Sequence, residues 1–317
     1  MTGGGERWRR WRGNRMAVAC AAVFVAVAAA CYLGPPVAGA FGLDATAIDP
    51  RLGATPPGAA HWFGTDTLGR DMLVRVMIGG RIAIAVAVVA AAIAVAIGVS
   101  YGAIAAYAGG AIDNVMMRIV DALYGFPTLV LVIVVMAVTG TQSLVALFGL
   151  IGAISWLTMA RITRGQVLAL RRREFVEAAR AIGVPPARIL ARHVLPNAIG
   201  PLIVYATLAL PQVMLTEALL SFLGLGVQAP LASWGTLVTE GSSQIVVYPW
   251  LLVFPAVVMG MAIVSLNFVG DGLRDALDPR TGPAGRGGPG ARQPGSRPSG
   301  SRPSGSPQAG SPQAGSR

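Results

Sequence analysis

Long stretches without a single charge dominate the chain. They cover residues 16–43, 82–112, 122–160, 194–216, 218–239 and 241–270. A helix needs about 20 apolar residues to cross a bilayer, so each tract is a candidate span. The third is too long for one crossing and carries Thr139-Gly140-Thr141-Gln142-Ser143 in its middle, so it divides there into two helices. Only Glu217 separates the fourth tract from the fifth. One helix over 196–223 accounts for both, followed by an outside loop rich in Gly and Pro. The pattern therefore predicts an all-α polytopic membrane protein with six transmembrane helices. Its segments are 1–15, an Arg-rich N-terminus; 16–34, the first span; 35–81, an external segment; and 82–280, a five-helix core. Residues 163–197 form a polar loop between helices four and five, and 281–317 form a tail.

Charge supplies the orientation, because cytoplasmic loops carry an excess of Arg and Lys. Arg7, Arg9, Arg10, Arg12 and Arg15 put the N-terminus in the cytoplasm. Six crossings then place Arg118, residues 161–192, Arg274 and Arg280 on that side as well. The stretch 161–192 holds eight Arg against two Glu. Without the division near Gly140 this cluster would face outside, so parity supports the split, and both termini are cytoplasmic. Arg9-Arg10 and Ala28-Ala29-Ala30-Cys31 superficially match export and lipoprotein signals. The apolar tracts that follow favour an uncleaved first helix. From Gly295 onward the tail repeats Gly, Ser, Pro and Arg, a composition that cannot bury enough surface to fold, so it is read as a disordered cytoplasmic extension.

Composition narrows the function. Of 317 residues, 54% are hydrophobic and only 12% charged, about half the share of a soluble domain. All 25 basic residues are Arg. A phosphate-binding loop of the Walker type needs a lysine, so any ATP must be bound by another chain, and no cofactor of this chain's own is expected. The net charge of +11 lies beside apolar tracts and reads as membrane contact, not nucleic acid. Cys20 and Cys31 sit eleven residues apart in one helix, roughly 16 Å along its axis, and cannot pair. No nucleophile–base pair or metal cluster suggests an enzyme. Glu217 is the one acid inside a span, and an intramembrane acid is a functional candidate: it either contacts a peptide amine or lines a pore, or it lies near the outer end, solvated or bonded to a neighbouring helix.

The polar loop carries a mechanism. Phe175, Ala178, Ala179 and Ile182 recur at i, i+3, i+4 and i+7, one apolar stripe on a helix outside the membrane. Glu174, Glu177 and Arg180 occupy its other faces. Gly183 can end the helix, and Pro185 or Pro186 can begin the next. Such a stripe must be covered, either by this chain's own bundle or by a partner.

This loop resembles the coupling loop of bacterial ABC importer permeases, on Glu177-Ala178-Ala179, Gly183, Ile189 and Leu195-Pro196. A narrower group is similar along residues 10–280: the second permease of the dipeptide, oligopeptide and nickel importers. The residues that carry this are His61-Trp62-Phe63-Gly64-Thr65-Asp66-Thr67-Leu68-Gly69-Arg70-Asp71, Gly80-Arg81, Ala160-Arg161 and Arg164-Gly165. Glu217 through Gly226, Ser233-Trp234-Gly235 and Gly270 through Pro279 extend the match. Val74 and Ala83 depart from it, standing where hydroxylated residues are expected. The resemblance implies a permease that forms half a translocation pore in the cell membrane. Its partners would be a homologous permease, two cytoplasmic ABC ATPase subunits, an external solute-binding protein and the lipid bilayer. The docking residues would be Glu174, Phe175, Glu177, Ala178, Ala179, Ile182 and Gly183. Asp71 and Arg75 would join a helix to the partner permease. Peptides are the expected cargo. Nickel or another small solute is the alternative, although neither His61 nor His193 lies in a predicted span. A secondary, ion-coupled transporter would use several ionisable groups within its spans, and only Glu217 offers itself.

Overall fold

The structure, a computed structural model, describes residues 8, 9, 11–41, 47–140 and 144–277. Among the described residues ten helices carry the architecture: α1 (Arg15–Ala40), α2 (Met72–Ala108), α3 (Gly110–Tyr124), α4 (Thr128–Thr139), α5 (Leu144–Arg171), α6 (Glu174–Ala181), α7 (Pro186–Ile189), α8 (Leu195–Phe222), α9 (Trp234–Ser242) and α10 (Trp250–Leu277). Among the described residues, β-pairing is limited to one bridge between Thr65 and Asp71. Among the described residues four helical runs are long and apolar enough to cross a membrane: α1, α2, Pro186–Phe222 and α10. A fifth arises if α3 and α4, bent by 80°, count as one broken span. Arg7, Arg10, Asp44, Arg280 and the tail 281–317 lie outside the described residues.

Helix ends depart from the charge-free tracts, and the reason is physical. A tract without charge marks membrane thickness, whereas a helix ends where its backbone is capped. α2 begins at Met72, ten residues before the predicted 82, because the Asp71 carboxylate accepts the Val74 N–H at 3.0 Å. At 37 residues it is about 55 Å long, well beyond the roughly 30 Å hydrocarbon core. It stops at Gly109, whose φ of +68° suits a residue without Cβ. α1 runs six residues past the predicted Gly34, through Pro35 and Pro36. α5 continues to Arg171, so the polar loop begins there and not at 163. The helix breaks where the long tract was divided: α4 ends at Thr139, Gly140 adopts φ +60°, and α5 starts at Leu144. The loop after α8, in contrast, contains the unpredicted helix α9.

Small residues set the packing. Gly152 of α5 lies against Ala90 and Ile93 of α2, Gly98 against Trp156 and Met159, and Gly102 against Ala160 and Thr163. A Cβ at Gly98 or Gly102 would overlap the facing backbone carbonyl, so glycine permits this approach. Both sequences of contacts rise together, so α2 and α5 are parallel. Two parallel neighbours require the intervening chain to run back. α3 does so: Asp113 pairs with Arg164, while Asp121, further along α3, pairs with the earlier Arg161. α10 runs antiparallel to α8, with Gly270 at Leu208 and Gly200 at Leu277. The largest core cluster includes Met72, Val86, Ile154, Met214, Trp234 and Leu266, drawn from α2, α5, α8, α9 and α10.

Candidate functional site

One end of the bundle is capped by α6 and α7. Val176 and Ala179 are the buried residues of α6. They enter a cluster with Ala103 and Ala106 of α2, Val167 of α5, Ile189 and Val194. Arg171 Nη1 donates to the Ala106 carbonyl at 3.0 Å, tying the end of α5 to α2. α6 ends in a Schellman turn: the Val184 N–H donates to Ala179 O at 3.1 Å and the Gly183 N–H to Arg180 O at 2.9 Å. Gly183 carries φ +77° with open space around it. Pro186 stands at the first position of α7, where its missing N–H costs nothing. The chain then passes through a π-helical turn, Leu190–Val194, into α8. In that turn the Leu195 N–H donates to Leu190 O, and Pro196, which cannot donate, follows at once.

The predicted stripe divides between two faces. Phe175 is 40% exposed, Ile182 is 81% exposed, and Ala178 and Gly183 are exposed. Ala179 instead points inward, so it supports the loop from below and is not part of an outward surface. The outward apolar line is Phe175, Ala178 and Ile182, at i, i+3 and i+7. Glu174 and Glu177 are exposed in the first turn and Arg180 in the last, an arrangement that also suits the helix dipole.

Glu217 lies near the far end of α8 and is 1% exposed. Its Oε1 accepts from Ser221 Oγ at 2.8 Å and from Ser233 Oγ at 2.6 Å. Ser233 is also the N-cap of α9, in a capping box with Thr236. Gly235 packs so closely that a Cβ would overlap Ala218 Cα and Glu217 Oε2. Glu217 thus bonds α8 to α9 through Ser233, one of the arrangements its sequence position allowed.

The same end holds an ion-paired cluster that sequence reasoning did not assemble. Asp66 Oδ2 accepts from Arg70 Nε at 2.6 Å and Arg75 Nη1 at 2.7 Å, while Oδ1 accepts the Leu68 and Arg70 N–H groups at 2.9 Å each. Arg75, 6% exposed, also reaches Glu240 of α9 at 3.0 Å. Asp71 pairs with His61 Nδ1 at 2.8 Å. Asp71 and Arg75, expected to face a partner permease, are thus engaged within the chain. Trp234, fully buried, donates its Nε1–H to Val76 O at 2.9 Å, and Trp250 donates to Thr65 O at 3.1 Å. The structuring of α9 was missed; the Ser233-x-x-Thr236 cap was its available signal. Among the described residues no three His, Cys, Asp or Glu gather in a metal-holding group.

Comparisons agree with this geometry. Residues 98–283 match the family model described as a binding-protein-dependent transport system inner membrane component. The chain is 47% identical over 272 residues to the oligopeptide transport system permease protein OppC of Escherichia coli strain K12, covering 86% of this chain and 89% of that one. It is 41% identical to the dipeptide transport system permease protein DppC of Bacillus subtilis, covering 87% and 85%. Among solved structures, a chain of the MetNI methionine ABC transporter in an inward-facing conformation shares the fold, with a TM-score of 0.52 and 20% identity, over 65% of this chain and 98% of that one.

Proposed function

The chain belongs to the family of binding-protein-dependent transport system inner membrane components, and on that premise we propose that it is the permease subunit of an ATP-driven importer of di- and oligopeptides. It is a multi-pass cell-membrane protein, and chemistry on ATP belongs to separate ATPase subunits. Six crossings with both termini cytoplasmic are supported by the parallel α2–α5 pair, which needs the return of α3 and α4, and by the Arg-rich ends of α5 and α6. The peptide class rests on the oligopeptide and dipeptide permeases it resembles.

The observation that carries the reading is the outward apolar line of Phe175, Ala178 and Ile182 on a helix seated from below. A helix that buried all its apolar residues would have nothing to offer a partner. One that buried none would not transmit force. α6 does both, so a push from a cytoplasmic ATPase on its outer face reaches α2 and α5 through Val176 and Ala179. Coupling then means two arrangements of the bundle, biased by nucleotide at one end and by a loaded solute-binding protein at the other. A homologous permease completes the pore.

The test is uptake of labelled di- and oligopeptides, and of nickel, by vesicles carrying the assembled importer with and without this chain. The expected result is peptide uptake that requires both ATP and the chain. Nickel uptake alone would refute the peptide assignment, and ATP-independent uptake would refute the coupling.

A further inference from the structure

A cleft of about 470 Å³ opens between α2, α5 and α8, with Tyr124 from the end of α3 at its edge. Its lining is uncharged but mixed, with Ile154, Leu157, Met159 and Leu208 beside the polar groups. Ala91 and Ala94 of α2 give it a smooth wall, and the polar groups are Tyr124, Ser155, Thr158, Tyr205, Gln212 and Thr216. No residue lining it carries a charge.

The sequence of α8 builds one polar face toward it. Tyr205, Ala209, Gln212 and Thr216 follow spacings of four, three and four, which places them within about 60° of one another on the helix. Ile203, on the opposite side, is half exposed and apolar. Gln212 and Tyr205 are exposed. A primary amide in the middle of a membrane helix is costly against lipid, so this face needs a polar neighbour. The hydroxyls of Thr216 and Ser155 donate to the carbonyls of Gln212 and Ile151 on their own helices, which leaves their oxygens as acceptors toward the cleft.

Resting on the permease reading above, we propose that this cleft is the chain's share of the peptide path and that Gln212, with Tyr205 and Thr158, sets its lack of charge preference. Uncharged donors and acceptors match the amide groups that every peptide carries, whatever its side chains. A fixed charge at the same place would favour one sign of cargo and repel the other. A path of this kind accepts a peptide by exchanging water for backbone hydrogen bonds, so it passes many sequences and retains none.

The experiment uses the assembled importer in vesicles, in a variant whose Cys20 and Cys31 are replaced by Ala. Single Gln212→Cys, Thr158→Cys and Ile203→Cys variants are treated with a charged, membrane-impermeant thiol reagent, with and without saturating tripeptide and binding protein during ATP turnover. The expected result is labelling at Gln212→Cys and Thr158→Cys that slows at least threefold with peptide, and no labelling at Ile203→Cys. A cleft filled by lipid chains would leave the first two unlabelled and overturn the proposal, while normal peptide uptake by the parent would leave the importer reading intact. A second readout is sequence preference. Gln212→Glu and Gln212→Arg should move the ratio of Lys-rich to Glu-rich tripeptide uptake in opposite directions, each by about tenfold. Equal ratios in both variants would overturn the assignment of Gln212 even with uptake preserved.

Discussion

The two ends of the bundle solve opposite problems. At the loop end, α6 is anchored by two small apolar side chains, Val176 and Ala179, and leaves Phe175, Ala178 and Ile182 outward. At the far end the buried polar groups are used internally: Asp66 receives four donors, Arg75 bridges two acids, and Glu217 and Ser233 lock α8 to α9. On the proposed reading, the first end is finished by another protein. The second is finished within the chain. A surface that binds and releases needs contacts in reserve, whereas an end that holds α2, α8 and α9 in register needs none left over.

Four predictions test this contrast, in order of expected size. Arg75→Ala removes the cation shared by the buried Asp66 and the half-exposed Glu240, while Arg70 stays on Asp66. Losing the charge-assisted bond to Asp66 costs about 1.5–3 kcal/mol, read as a fall in the thermal midpoint of the solubilised chain. A midpoint equal to the parent would show that the cluster is ornamental. Glu217→Ala strands the Ser221 and Ser233 hydroxyls, at about 1–3 kcal/mol. Faster amide exchange should concentrate in Trp234–Ser242, and uniform change across the chain would argue against a local lock. Gly183→Ala forces a side chain into φ +77°, costing about 1–2 kcal/mol, and proteolysis should rise within 182–186 only. Ala178→Arg is the smallest in stability, within about 0.5 kcal/mol, because the site is exposed. Its effect belongs to function: peptide-stimulated ATP turnover should collapse while the chain stays folded in the membrane. Normal turnover in Ala178→Arg would erase the distinction between the two ends.

The loop was largely legible because its signals are local. A 3.6-residue period, a glycine after it and a proline after that are enough to place α6, its Schellman turn and α7. The inward turn of Ala179 was not legible, since a stripe of four residues spans more than one face and only the packing of α2 and α5 decides which edge is covered. The far end was harder still. Asp71 and Glu217 announce themselves as charges near or in apolar tracts, but their partners stand ten and sixteen residues away, at His61 and Ser233, and Arg75 meets Glu240 across 165 residues. No spacing rule connects such positions. The ends of α2 and α5 escaped for a related reason: hydropathy measures which residues tolerate lipid, and these helices continue into the polar zone where caps and ion pairs take over.

Composition and period alone determined that this chain is an all-helical membrane protein, that it carries no phosphate-binding lysine, where its apolar tracts break, and which loop presents a helix with an apolar edge. These follow from free energies that each residue or turn carries by itself: transfer into lipid, helix capping, and the left-handed freedom of glycine. Tertiary structure decided the parallel seating of α5 on α2, the inward role of Ala179, the locking of Glu217 to α9, and the gathering of Gln212, Tyr205 and Thr158 around one uncharged cleft. Those depend on which helices approach closely enough to share a carbonyl or a hydroxyl, and such distances exist only once the whole bundle has packed.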